Sequence, residues 1–425
     1  MFTLTILIKN VRAVDIDLDT ICDIYIKDGK IEAIHSNCNV SADKVIDGTN
    51  LVAMPSLFDM HVHFRDPGLT HKEDIVTGCK SALAGGFTGV ACMPNTKPVI
   101  DSVDTIDYVI SKAKPTGVTV YPIASITNGM KGEKLTDFAV LKKAGAIAVS
   151  DDGRPVENAD IMRKAIKKAY EVGMPIISHC EDLNIIKGGI MHKGTVSKEL
   201  GVKGMDRASE DSITAREIAL AYSVNGAIHI AHVSTEGSIA LVRDAKRRGV
   251  KVTCETAPHY MLLTHEKLRG LDADFRMNPP LREQFDVDAV VEGVLDGTVD
   301  CIVTDHAPHT KEEKAKFETA PNGVVGLETS FAGVVTALYK TGKVSLQKIV
   351  ELMSVNPRKI LNVPVETLKV GANANIVLAD VNMQWKVVPE ELHSKSKNTV
   401  FKGMTLTGKP VMTISNGKIV YSYLD

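Results

Sequence analysis

The stretch FDMHVHFRDPG, residues 58–68, decides the reading of this chain: an apolar run closes on two histidines one residue apart, then arginine, aspartate, proline and glycine. In an extended strand, residues two apart point the same way, so His61 and His63 are expected to face one point and grip one ion. Neither a helix nor a loop guarantees that. Outward from this stretch, apolar runs recur: GFTGVACMP (86–94), GVTVYPIAS (117–125), GAIAVSDDG (145–153), MPIISHCED (174–182), AIHIAHVS (227–234), VKVTCETAP (250–258) and DCIVTDHAP (300–308). Segments of helical texture separate them. Near-continuous apolarity is the mark of strands covered on both faces, and eight such runs alternating with helices predict a (β/α)8 TIM-type barrel.

The flanks read differently. Residues 1–54 are short β-rich runs divided by DG and DGT turn signals, and the pattern returns in NANIVLADV (373–381), NTVFKGMTLTG (398–408) and KPVMTISNGKIVYSYL (409–424), with NG and TG as turns. The expected division is 1–54 and 366–425 as the two parts of a small β-sandwich, with 55–365 as the barrel. At 425 residues the chain can bury a large core. Lys plus Arg is 50 and Asp plus Glu is 52, a net charge of −2, which offers no electrostatic footprint for nucleic acid or an anionic membrane. No uninterrupted apolar stretch is long enough to span a bilayer, and the N-terminal apolar run lacks a secretory leader's basic start and cleavage pattern. Seven scattered cysteines, none in C-x-x-C spacing, argue against a disulfide framework or a thiolate zinc site and point to a reducing cytoplasm. Cys180, beside His179, reads as a small buried residue rather than a nucleophile. Small-molecule chemistry is the class that remains.

Polar residues gather after the apolar runs, where a parallel barrel carries its active site. His61 and His63 end the first run, Asp151 and Asp152 the fourth, His179 the fifth, His232 the sixth, and Asp305 and His306 the last. A single strand-end histidine is ordinarily a hydrogen-bonded surface group. Recurrence at the same end of successive units changes that, since random placement would put as many at the opposite end. Four imidazoles and two carboxylates suffice for two borderline-soft ions, with zinc the leading candidate. Between Asp151 and Asp152 the spacing does not choose.

HVHFRDPG, GFTGVACMPNT, SDDG, SHCED, AHVS, MNPPLR, TDHAPH and GLETS together resemble the dihydroorotase family of the amidohydrolase superfamily, in its long bacterial form. The likeness runs from GKIEAI near the N-terminus to SNGKIVY near the C-terminus, and only GANANIVLAD, in the accessory sheet, departs from the family's usual wording. The resemblance implies that His61, His63 and Asp305 hold one Zn²⁺ and His179 and His232 a second, with Asp152 and a hydroxide bridging the two. Many superfamily members bridge their metals with a carboxylated lysine, but no lysine occupies this strand end. The resemblance further implies that His63, Arg65, Asn95 and His309 hold a substrate carboxylate. Asn278, Asn322 and Gly323 would contact a pyrimidine ring edge. A homodimer is expected, as is association with aspartate carbamoyltransferase, with which some members work.

The chemistry demanded is clear without the resemblance. A ring amide resists water at neutral pH, so the site must arm a nucleophile and stabilise charge on the carbonyl oxygen, which two divalent ions can do. Asp305 is then placed both to hold metal and to carry a proton from water to the leaving nitrogen. Arg65, two residues past His63 and so expected on the same face of the strand, offers a forked cation suited to a carboxylate. The expected reaction is reversible hydrolysis of (S)-dihydroorotate to N-carbamoyl-L-aspartate, a step of pyrimidine synthesis. Hydantoinases, dihydropyrimidinases and allantoinases are the rival reading, but their uncharged rings give an arginine nothing to hold. A non-catalytic scaffold subunit is the rival of another class, and the full ligand set speaks against it. The charged segment TKEEKAKFETAPNGVV (310–325) reads as a cover over the pocket or a solvated helix.

Overall fold

Runs of apolar residues without alternation must be covered on both faces, and the chain achieves this by closing them into a ring. The computed structural model describes residues 4–424, so Met1–Thr3 at the start of the N-terminal run and Asp425 lie outside the described residues. Eight parallel strands follow one another around the ring: Leu57–Val62, Phe87–Cys92, Thr119–Ala124, Ala148–Ser150, Ile176–Ser178, Ile228–Ile230, Val252–Thr256 and Cys301–Ile302. A parallel bridge between Val62 and His306 joins the last to the first, with the His63 amide donating to the His306 carbonyl at 2.8 Å. Phe58, Ala91, Ile123, Ala148, Ile177 and Cys301 fill the interior with a buried cluster. This is a packed core and not a pore.

Each barrel strand leads to an outer helix, from Ile75–Ala84 after the first to Leu327–Val334 after the last. Their sequences explain their seats. In Ala159–Glu171, Asn158 caps the N-terminus by accepting from the Asp160 and Ile161 amides, and Met162, Ala165, Ile166 and Ala169 form the buried stripe. After the fifth strand the chain inserts a small excursion, with the paired strands Met191–His192 and Gly204–Met205, before the helix Ala208–Ser223.

The two ends of the chain share one accessory sheet. Ile376–Lys386 runs antiparallel to Val52–Pro55, and the sheet forks at Ile6–Asp15, which pairs with Leu18–Lys27, Lys44–Asp47 and Val52–Pro55. It has its own core, including Ile6, Ile24, Ile376 and Ile414. Because Val52–Pro55 enters the first barrel strand almost directly, this sheet anchors the strand that carries His61. One expectation fails here: the TG at 407–408 is not a turn between two strands, because Thr405–Ser415 is continuous through it. Gly408 takes a φ of 93°, and a side chain there would press on Val335, so the glycine serves close packing rather than reversal. No described helix is long and apolar enough to cross a membrane.

Candidate active site

Strand ends deliver the ligands, and Asp152 sits at their centre. Its Oδ1 lies 3.5 Å from His61 Nε2, 3.5 Å from His179 Nδ1 and 3.7 Å from His232 Nε2, while its Oδ2 lies 3.4 Å from His63 Nε2. Asp305 faces the same group, with Oδ1 at 3.1 Å from His63 Nε2 and 3.7 Å from His61 Nε2. His179 Nδ1 and His232 Nε2 approach to 2.9 Å. The six residues expected to ligate metal are therefore together. Within this cluster two groups have the donor spacing to hold an ion: His61, Asp152 and His232, and His61, His63 and Asp305. Burial alone would push the Asp152 carboxyl up, but the close imidazoles of His61, His179 and His232 outweigh it and hold the group well below the usual range.

The residues fit a metal on their own chemistry. His61 Nε2 and Asp152 Oδ1 are buried without a hydrogen-bond partner, a costly state for polar atoms unless something else satisfies them. The opposite edges of the rings are occupied by acceptors. His61 Nδ1 meets Glu255 Oε1 at 2.6 Å, His63 Nδ1 meets Asn95 Oδ1 at 2.8 Å, and His179 Nε2 meets Glu181 Oε2 at 3.3 Å. Each acceptor draws the ring proton outward and leaves a lone pair directed at the centre, the usual support for a metal-ligating histidine. Glu255 also takes His229 Nε2 at 3.1 Å, and Glu181 accepts from Asn278 Nδ2 at 2.8 Å.

Asp151 and Asp152 part company here. Asp151 turns away to accept from the Ile126 and Thr127 amides at 2.7 and 3.2 Å, and burial raises its carboxyl to about 6. It holds a turn. Cys180 is buried and its thiol is pushed far up by that burial, which removes it as a nucleophile.

Above the cluster lies a cavity of about 240 Å³ lined by His63, Arg65, Asn95, Asn278, His309, Asn322 and Gly323 together with the metal-facing residues other than His61. Every residue expected to meet substrate is on this wall, but two arrive differently from the sequence reading. The first strand ends at Val62, so Arg65 does not reach the cavity by strand alternation; it sits at a left-handed φ of 59°. Asn95 spends its amide within the protein, on His63 and on the Asp152 carbonyl at 3.3 Å, so it orients a ligand as well as lining the pocket. Arg65 is 8% exposed, and its side chain meets only the Pro308 carbonyl and the His309 ring, both at 3.3 Å, with no carboxylate partner among the described residues. His309 is held neutral by burial and by Arg65, Lys72 and Lys314 nearby. Its Nε2 donates to the Asn322 carbonyl at 2.9 Å.

The sequence reading missed the supporting carboxylates. Glu181, two residues past His179, carried a faint signal in its spacing, but Glu255 carried none. It also missed the Arg282–Glu210 ion pair, 3.1 Å and almost fully buried, which ties the Asn278 loop to the Ser234 amide and hydroxyl just past His232. Glu210→Ala strands the arginine and is expected to cost about 3–5 kcal/mol, seen as a clear fall in Tm; an unchanged Tm would show that the pair is dispensable.

Known proteins agree with this picture. A profile of the dihydro-orotase-like family matches residues 50–238. Proteins named dihydroorotase from Citrifermentans bemidjiense and Geobacter metallireducens are each 48% identical over 423 residues, covering 98% of this chain and 100% of theirs. An L-hydantoinase (dihydropyrimidinase) from Arthrobacter aurescens superposes with a TM-score of 0.89 at 25% identity, covering 100% of this chain and 97% of its own. With close to half its residues shared along nearly its full length, the chain belongs to the dihydroorotase family of metal-dependent cyclic amidohydrolases.

Proposed function

We propose that this chain hydrolyses (S)-dihydroorotate reversibly to N-carbamoyl-L-aspartate, a step of pyrimidine synthesis, at the cavity above Asp152. The observation that carries the substrate is Arg65: a buried guanidinium with no carboxylate of its own, opening onto the same small cavity as the histidine and aspartate cluster. A buried cation without a counter-charge is costly and is retained where a ligand supplies one. His61, His63 and Asp305 would hold one Zn²⁺, His179 and His232 another, and Asp152 both. When bound, the two ions supply Lewis acidity that makes water a strong nucleophile and polarises the ring carbonyl.

The chain's own residues do the rest. Arg65 and neutral His309 receive the ring carboxylate, and Asn95, fixed by its two internal bonds, presents its edge beside them. Asn278, Asn322 and the Gly323 backbone meet the ring edge and orient the amide over Asp152. Asp305 takes the proton released when water attacks and returns it to the ring nitrogen as the C–N bond breaks. The barrel segment 55–365 carries this chemistry, with 1–54 and 366–425 as the accessory unit. Seven free, buried cysteines support placement in the reducing cytoplasm.

The near superposition on an L-hydantoinase keeps one rival alive, an enzyme for uncharged rings. Turnover of dihydroorotate compared with dihydrouracil decides between them. Dihydroorotate is expected to be strongly preferred, and preference for the uncharged ring would end the assignment. Arg65→Met is expected to raise KM for dihydroorotate by about 10²-fold while leaving metal content unchanged; an unaltered KM would place the carboxylate elsewhere.

A further inference from the structure

The segment 310–325 is neither a solvated helix nor a loose cover: it contains no helix, and Lys314, Phe317 and Ala320 within it are buried. Lys314 is the unexpected one. Its Nζ donates to the Ala273 carbonyl at 3.0 Å, the Arg276 carbonyl at 3.0 Å and the Pro321 carbonyl at 2.9 Å. An ammonium has three N–H groups, so all are spent on backbone, and no carboxylate pairs with it among the described residues. The acceptors come from two places: the turn Ala273–Arg276, which leads into Asn278, and Pro321, the residue before Asn322. The same contacts are laced from the other side. The Gly323 amide donates to the Arg276 carbonyl at 3.0 Å, and the Arg276 guanidinium reaches the Phe317 carbonyl and, at 3.3 Å, Asn322 Oδ1.

We propose that Lys314 is a positioning residue whose ammonium pins the segment bearing Asn322 and Gly323 to the Arg276–Asn278 loop, and so fixes the width of the cavity for the substrate ring. This rests on the reading that Asn278, Asn322 and Gly323 meet that ring. Lys314 does not line the cavity, and its ammonium bonds backbone carbonyls alone.

Charge on the pin governs its grip. Burial lowers the Lys314 ammonium to about 7, with Arg276 and Arg65 adding to the effect and Asp274 and Asp272 opposing it. Both aspartates are shared with Lys402, each at 2.6 Å, and Glu313 on the same segment is taken up by Lys72 at 2.9 Å. Below that value three donors meet three carbonyls. Above it a neutral amine offers two, and one of the three bonds that tie the segment down is lost. The cavity is therefore tight on the acid side and slackens as pH climbs through neutrality.

The test uses the full-length, metal-loaded enzyme with dihydroorotate, in wild-type, Lys314→Met and Lys314→Arg forms. Three quantities are read: kcat and KM between about pH 6 and pH 9, metal content, and amide hydrogen exchange over residues 310–325 without substrate. Lys314→Met is expected to speed exchange in that segment and raise KM about ten-fold, with kcat and metal content close to wild type. In the wild type KM should rise as pH passes about 7. Lys314→Arg, whose charge does not titrate there, should recover part of the KM and lose that rise. Unchanged exchange in Lys314→Met, or a pH step that survives in Lys314→Arg, overturns the proposal. Faster exchange with unaltered KM would leave the pin standing as a backbone clamp but overturn its role in substrate positioning, along with the reading that Asn322 and Gly323 hold the ring. If the methionine variant does not fold, the pH profile of the arginine variant decides alone.

Discussion

Asp305→Asn is expected to lower kcat by about 10³-fold or more while the protein stays folded and keeps most of its metal. The reason lies in what the two side chains share and what they do not. Asparagine has the same shape and retains one oxygen that can face His63, 3.1 Å from the present Oδ1. It cannot accept a proton at neutral pH. Water must lose a proton on attack, and the ring nitrogen must gain one as it departs to become the terminal NH2 of the carbamoyl group. Two carboxylates stand on the cavity wall, Asp152 and Asp305, and Asp152 is faced by all four imidazoles, which leaves Asp305 for the proton. Steady-state kinetics beside metal analysis separates the two duties assigned to Asp305. A near-normal kcat with metal in place would remove it as the proton carrier, whereas loss of metal in parallel with activity would reduce it to a ligand.

Asp152→Ala is expected to be the more drastic change, with loss of stoichiometric metal and a fall in activity of at least about 10³-fold. Among the described residues Asp152 is the one carboxylate within 4 Å of His61 and His63 and also of His179 and His232, so its removal leaves Asp305 facing only the first pair and no carboxylate joining the two. Asp151→Asn is the matched control. Its carboxylate serves the Ile126 and Thr127 amides, so that variant should lose some thermal stability and keep its metal. Equal metal loss in the two variants would deny Asp152 any special place. Retention of full metal and activity by Asp152→Ala would remove the bridge altogether.

Much of this was legible in the chain because its signals are local. The apolar runs announce strands covered on both faces, the helical stripes between them announce the outer ring, and polar residues recurring at the same end of each run announce the rim. These periodicities are imposed by backbone geometry over a few residues, which is why the barrel and the rim bearing His61, His63, His179, His232 and Asp305 were legible in sequence, while the choice of Asp152 over Asp151 came from the family resemblance. The accessory sheet was readable for the same reason, apart from the TG at 407–408. There a glycine that reads as a turn is instead a left-handed irregularity within a continuing strand, packed close to Val335.

What the tertiary structure alone decided are the partnerships across distance. Glu255 orients His61 from 194 positions away, and Asn278 steadies Glu181 from 97. Arg65 enters the cavity through a left-handed backbone rather than strand alternation, Asp151 turns inward to cap a loop, and Lys314, one lysine in a run of charges, is buried among three carbonyls. No local pattern separates Asp151 from Asp152, or Lys314 from Lys311 and Lys316. The cost of burying an unpaired charge or carbonyl depends on which atoms surround it, and those neighbours exist only once the ring of strands has closed.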